Sequence, residues 1–250
     1  MEKFMIDTSL LSRAEDLKKQ IDLFHPFESP MHSQIRQYYK IGLTWSSNAL
    51  EGNSLTESET KVLLEDGLTV GGKPIRDYYE ATGHAKAYEY MYDLSRDRSL
   101  SENDVQTLHR LFYDQLDSHH AGIYRDQKAI ITGSKYPLTK PEKIGSEMHK
   151  FIEWFAASEK SLHPVEIAAL AHKKFVFIHP FVDGNGRVAR LIMNISLMRN
   201  GYTIAIIPPI LRGDYIAYLE KAHEDDSDFI NFIASRVIET QKELLRIIGD

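Results

Sequence analysis

Residues 179–190 read His-Pro-Phe-Val-Asp-Gly-Asn-Gly-Arg-Val-Ala-Arg, and the chemistry of the chain concentrates there. His179 supplies an imidazole that can accept a proton near neutral pH, and Pro180 stiffens the chain just after it. Asp183 offers one oxygen ligand, enough for Mg²⁺, which keeps several waters and takes its other ligands from nucleotide phosphates. Gly184 and Gly186 permit a sharp turn that exposes backbone N–H groups, and from Arg187 a helical pattern resumes and ends near Asn200-Gly201. The loop therefore falls at a helix N-terminus, where unpaired amides and the positive end of the dipole favour an anion such as a phosphate oxygen. Arg187 and Arg190, three apart, project from neighbouring positions of the first turn and can clamp further phosphates with planar forks. The purely structural alternative is a buried His-Pro turn, punctuated by Asp-Gly and Asn-Gly, with a surface arginine pair.

These residues resemble the signature of the Fic family, HPFx(D/E)GNGRxxR, with every specified position matched. The resemblance implies transfer of AMP from ATP to a protein hydroxyl with release of pyrophosphate. It assigns His179 to deprotonation of the target hydroxyl and Asp183 to Mg²⁺. Gly184, Asn185 and Gly186 become the anion hole, Arg187 and Arg190 bind the distal phosphates, and Phe181 anchors the loop in the core.

A second stretch, Ser47-Asn48-Ala49-Leu50-Glu51-Gly52, closes a helical pattern that carries Ile35, Tyr38, Tyr39 and Leu43. Ser47 and Glu51 are four apart and share a helical face. By itself the stretch also reads as a helix C-terminus with an exposed glutamate and a glycine cap. Beside the signature it resembles the inhibitory (S/T)xxxE(G/N) pattern of many Fic proteins. The resemblance implies that Glu51 pairs with Arg190 and denies it to the γ-phosphate. In some relatives the same glutamate helps water remove AMP from the modified target, so removal of AMP through Glu51 is the alternative activity.

The elements that must hold these residues are mostly helical. Apolar spacing predicts helices over 9–24, with Ser12 and Glu15 as a capping box, and then over 31–52 and 57–66, the latter capped by Thr56 and Glu59. Further helices are predicted over 76–95, from Ser101 to His119-His120, over 141–157, from His163-Pro164 into the signature, from Arg187, and over 211–223 and 227–248. His25-Pro26-Phe27 repeats the first letters of the signature without its glycine loop and reads as a linker. Adjacent His119 and His120 cannot face one metal on a regular helix. Between Gly122 and Pro141 the period changes, and two short strands around Thr132-Gly133 are expected. Fic proteins carry such a hairpin, the flap, which pairs with the target segment. The resemblance places Ile130, Ile131, Thr132 and Gly133 in target docking. It also places Tyr215 and Tyr218 in the region lining the adenine pocket, although core packing accounts for them equally.

Composition limits the alternatives. The 250 residues carry a formal charge of −6, and 42% are hydrophobic, so a sizeable core is available and no basic field invites nucleic acid. Without cysteine, disulfides, thiolate metal sites and Cys nucleophiles are excluded. No apolar run spans a bilayer and no secretory signal opens the chain, so a cytoplasmic protein without membrane contact is expected. The chain stops soon after 248, leaving no room for the winged-helix module of many relatives, so direct nucleic-acid binding is not expected. The expected fold is all-α: a Fic-type helical core with a small β-hairpin flap, preceded by an N-terminal helical region. Residues 1–98 make that region, with the inhibitory helix at about 31–53, and 99–250 make the catalytic core and C-terminal helices. The implied function is an autoinhibited protein adenylyltransferase using Mg²⁺ and ATP on a Ser, Thr or Tyr hydroxyl of a protein, itself included. Homo-oligomers occur among Fic proteins and are compatible with this reading. A nucleotide-sensing binding module is the non-enzymatic alternative, against which the intact His179 counts.

Overall fold

The helix that starts at the signature loop is the axis of the fold. In the computed structural model, which describes residues 5–97, 99–131, 133–158 and 161–249, this helix, α8 (Asn185–Arg199), is buried along most of its length. Val188, Ala189, Leu191, Ile192, Met193, Ile195 and Leu197 are fully buried. A helix buried on all sides must be wrapped by others. The wrapping comes from α7 (Pro164–Ile178), α4 (Ile75–Asp97), α5 (Glu102–Tyr113) and α2 (Ser29–Ala49). Outside these, α1 (Thr8–Asp22) lies on α10 (Ser227–Ile248), α6 (Ile144–Ser158) on α7, α3 (Glu57–Asp66) on α2, and α9 (Arg212–Lys221) on α10. One hydrophobic core links residues from Ala14 to Ile248. The buried Gln241 of α10 donates to the Ala14 carbonyl at 3.0 Å, so the first and last helices are joined by a polar contact as well.

Helix ends follow local chemistry. Thr56 with Glu59 and His163 with Glu166 form reciprocal capping boxes, Pro164 occupies the first turn of α7, and α3 stops at Gly67 in the left-handed region. The first helix begins at Thr8, one residue before the expected start, because the Asp7 carboxylate accepts the Ser9 amide at 2.9 Å and takes the capping role expected of Ser12. Likewise α5 ends at Tyr113, short of His119-His120, and His120 pairs with Asp117 in the turn that follows. Gly83 is where α4 and α5 meet backbone to backbone: a Cβ there would lie 2.3 Å from the Phe112 carbonyl oxygen.

The expected hairpin is not formed: there is no strand among the described residues, and Thr132 lies outside them. The reason lies in Arg125, which is buried and spreads its guanidinium over three carbonyls. Its Nη1 donates to Gln127 O at 2.7 Å and Nη2 to Thr139 O at 2.5 Å, so both ends of the segment are committed to a side chain. Farther out, the Glu220 carboxylate of α9 takes the Lys135 amide at 2.8 Å and the Ser134 hydroxyl at 3.2 Å. Groups that a ladder needs are thus spent on side chains, and the segment is a strap between the signature loop and α9. No helix among the described residues is long and apolar enough to cross a membrane.

Candidate active site

His179 ends α7 with φ 52°, and among the described residues it is the non-glycine residue held at positive φ. Histidine tolerates this left-handed conformation better than bulkier residues, but the surroundings must hold it there. The His179 amide donates to Phe175 O at 3.0 Å, and its carbonyl accepts Arg125 Nε at 2.8 Å. The Arg125 amide donates to Pro180 O at 2.9 Å, and Phe181 sinks fully into the core. The Asn185 side chain closes the loop on Phe181, accepting its amide and donating to its carbonyl, both at 2.9 Å.

His109 of α5 supports the loop from below. Its ring stacks on Phe181 with centroids 3.8 Å apart. The Gly122 amide donates to its Nδ1 at 2.8 Å, so Nε2 carries the proton and donates to the Asp183 carbonyl at 3.1 Å. Burial pushes the His109 pKa down to about 4, which keeps this tautomer neutral.

At the N-terminus of α8, Gly184 has φ 76°, and a Cβ there would press to 3.0 Å on the Phe112 ring. Asp183 Oδ1 accepts the Gly184 amide at 2.6 Å and Arg187 Nη2 at 3.2 Å, while Oδ2 accepts Arg76 Nη2 at 2.9 Å. Burial alone would raise the Asp183 pKa, but Arg187, the Gly184 amide and Arg76 outweigh it and hold the carboxyl below its usual range. Arg187 is buried over the Phe112 ring and pairs with Glu80 at 3.2 Å. No group of three or more metal-ligating side chains converges among the described residues. An ionised, partly exposed carboxylate beside an anion-binding helix end nevertheless fits a hard cation that brings its other ligands on a nucleotide.

Arg190 is a deeply buried charge, 1% exposed. Its Nε donates to Ser47 Oγ at 2.9 Å, Nη2 to the Ser47 carbonyl at 2.8 Å and Nη1 to the Tyr215 hydroxyl at 3.2 Å. Nη2 also donates to Glu51 Oε1 at 2.8 Å. That same oxygen lies only 2.3 Å from where a Gly186 Cβ would stand, so the carboxylate rests against the first turn of α8. Burial works to raise the Glu51 pKa, and the nearby Arg190 and Arg187 charges more than reverse it, leaving it lowered. Glu51 is therefore an anion seated in the anion site. The sequence pair Ser47 and Glu51 meets Arg190, 139 residues along the chain from Glu51.

A cavity of about 180 Å³ opens at this point. His179, Gly186, Glu51 and Tyr215 line one side, and Ile131, Tyr136 and Leu138 of the strap line the other. Burial is also the main influence on His179 and lowers its pKa against the pull of the Val176 carbonyl, so the ring is neutral at pH 7. Ile130 is 91% exposed, Gly133 is exposed, and Ile131 faces the cavity. Tyr215 reaches the cavity, with its hydroxyl bridging Arg190 and His172 Nε2, the latter at 2.8 Å. Tyr218 does not line the cavity; its ring packs on Phe232, centroids 5.6 Å apart. A larger crevice of about 560 Å³ between α2 and α3 contains none of the signature residues.

Sequence reasoning missed His109, Glu80 and Arg76, which sit in ordinary amphipathic helices with no local mark. Arg125 carried a faint one, in the Gly-x-Tyr-Arg that ends at it.

Taken together, the geometry is that of an all-α protein with a glycine-bounded loop at the N-terminus of its buried axis. Residues 99–197 match the Fic/DOC family. The protein adenylyltransferase Fic of Nematostella vectensis is 34% identical over 233 residues, which make up 92% of this chain and 54% of that protein. A fragment of Fic-1 from C. elegans superposes with a TM-score of 0.87 at 29% identity, covering 97% of this chain and 72% of that one. A Fic domain containing signaling protein from Bacteroides thetaiotaomicron superposes with a TM-score of 0.82 at 29% identity, covering 94% of each chain. Residues 99–197 are thus a Fic/DOC family domain, in a chain similar to Fic proteins in sequence and fold over most of its length. It spans about half the length of the curated relatives it matches.

Proposed function

We propose that this chain is a protein adenylyltransferase held in check by its own Glu51. The observation that carries the reading is the Glu51 carboxylate lying against Gly186 and bonded to Arg190, in the place where a helix N-terminus and a guanidinium would receive a terminal phosphate. With Glu51 withdrawn, the first-turn amides of α8, Arg187 and Arg190 bind and orient the triphosphate. Asp183 is the residue that would hold Mg²⁺, an ion that neutralises phosphate charge and favours departure of pyrophosphate. His179, neutral through burial, takes the proton of a target hydroxyl as its oxygen bonds to the α-phosphorus. The bond from that phosphorus to the oxygen bridging to the β-phosphate breaks, and pyrophosphate leaves. The strap at Ile130, Ile131 and Gly133 offers exposed backbone against which an extended target segment docks.

Positioning is most of the catalysis in such a transfer. Here it resides in Arg125, Asn185 and His109, which lock the turn bearing His179. A second reading rests on Glu51 and His179 lining the same cavity: a water between them could be activated to remove AMP from a modified target.

Intact mass of the wild type and of Glu51→Gly, each incubated with Mg·ATP, tests the proposal, with His179→Ala in the Glu51→Gly background as control. An AMP-sized increment in Glu51→Gly, weak in the wild type and lost with His179, is expected. Absence of nucleotide binding and of any increment would overturn the transferase reading. Binding without transfer, together with release of AMP from a modified protein, would favour the second.

A further inference from the structure

Arg76 stands at the start of α4, far from the signature in sequence, and yet it closes one face of Asp183. The two oxygens of that carboxylate are held unequally. Oδ1 is turned inward to the Gly184 amide and Arg187, whereas Oδ2 is held by Arg76 Nη2 at 2.9 Å. The partners differ in exposure as well: the side chain of Arg187 is 4% exposed and that of Arg76 is 58% exposed. Oδ2, on the side of the exposed partner, is thus the oxygen that an arriving ion meets first. A hard cation needs an oxygen lone pair at about 2.0–2.1 Å, and the guanidinium on Oδ2 is both in its path and of like charge. Where both approach the same lone pair of Oδ2, they compete for it.

Arg76 is also tethered. Its Nε donates to Glu80 Oε1 at 3.0 Å, so the side chain can leave Asp183 without leaving the site. Glu80 is buried, and besides Arg76 it pairs with Arg187 Nη1 at 3.2 Å and accepts Asn53 Nδ2 at 2.9 Å. Asn53 follows Glu51 by two residues and donates through the same Nδ2 to the Asp77 carbonyl at 3.0 Å. The segment carrying Glu51 is therefore wired, through one carboxylate, to both guanidiniums that hold Asp183.

We infer that Arg76 is a positioning residue that gates the cation site: it occupies Asp183 Oδ2, a divalent cation must displace it, and Glu80 keeps it tethered while linking the gate to the Glu51 segment. The inference rests on the reading of Asp183 as the cation ligand. Displacement costs one partly exposed ion pair, which sets the scale at about two- to fivefold in apparent cation affinity.

The test titrates Mn²⁺, standing in for Mg²⁺, into the full chain carrying Glu51→Gly. A nucleotide analogue that cannot be cleaved between its α- and β-phosphates is present at saturation, and water-proton relaxation reports protein-bound ion. Four versions are compared: Arg76 intact, Arg76→Ala, Arg76→Lys and Asp183→Asn. Arg76→Ala is expected to lower the half-saturating Mn²⁺ concentration by about two- to fivefold. Arg76→Lys should fall between, because one ammonium cannot span Glu80 and Asp183 together. The predicted change is a gain, so misfolding cannot imitate it. If Arg76→Ala binds no tighter, or if lysine behaves like arginine, the gate is overturned while the cation reading stands. If Asp183→Asn leaves Mn²⁺ binding unchanged, the cation reading fails and this inference falls with it.

Discussion

Replacing Glu51 by glutamine isolates the charge of the proposed inhibitory residue from its size. Arg190 makes four hydrogen bonds, to Ser47 Oγ, the Ser47 carbonyl, the Tyr215 hydroxyl and Glu51, and only the last is to a charged partner. Glutamine can keep an oxygen near Nη2, so the loss is the difference between a charge-assisted bond and a neutral one, about 1–2 kcal/mol. A terminal phosphate competing for Arg190 and the α8 N-terminus gains that difference, because it no longer displaces an anion. The expected result is a nucleotide dissociation constant lowered by about five- to thirtyfold, read by calorimetry with an uncleavable ATP analogue. Folding stability should fall by no more than about 2 kcal/mol, since three partners of Arg190 remain. Glu51→Gly should tighten binding further, because it also clears the oxygen that lies 2.3 Å from the Gly186 Cβ position. A folded Glu51→Gln protein with unchanged affinity would refute the reasoning and make Glu51 a bystander.

Other consequences follow from the same contacts. His84 and His172 are fully buried with pKa values pushed down to about 3, and His109 to about 4, from an unfolded value of 6.5. Below 6.5 the unfolded chain therefore binds more protons, so stability is full above that pH and falls as pH drops toward 4, by roughly 1.4 kcal/mol per unit for each histidine. Urea unfolding at pH 7.5, 6.5 and 5.5 measures this, and a flat profile would contradict it. Gly83→Ala drives a methyl into the Phe112 carbonyl and should cost about 1–3 kcal/mol, seen as a lowered melting temperature; an unchanged melt would mean that α4 and α5 can separate freely. Arg125→Lys keeps the charge but cannot serve the carbonyls of Gln127, Thr139 and His179 together. Transfer in the Glu51→Gly background should then fall by roughly tenfold or more as the His179 turn loosens, and an unaltered rate would dismiss Arg125 as a positioning group.

Sequence and structure agree where the determining interactions are local. The capping boxes at Thr56 and His163, the proline at the start of α7 and the glycines around the loop are decided by neighbours within a few residues, so spacing alone placed those helix ends. The residues of the candidate site around the loop were legible for the same reason, since they are consecutive. The contacts that lock the loop were not. His109 meets Asp183 across 74 residues and Arg76 meets it across 107, and neither helix carries a local sign of the partner. The hairpin failed for a related reason: an Ile-Ile run beside a Gly turn has strand character, but its flanking carbonyls are captured by Arg125, a tertiary choice that periodicity cannot express. Tyr215 and Tyr218 were grouped by resemblance; both rings pack near Phe232, and Tyr215 also lines the cavity whereas Tyr218 does not.

The central claim is that the loop passes the α-phosphorus of ATP to a protein hydroxyl. Its most direct measurement uses Glu51→Gly with Mg·ATP labelled either at the α- or at the γ-phosphate, following label on protein and pyrophosphate in solution. The account predicts that α-label is retained on protein, that γ-label is not, and that pyrophosphate appears in step with the modification; both signals should vanish with His179→Ala. Retention of γ-label on the protein, or free phosphate released in place of pyrophosphate, would contradict it.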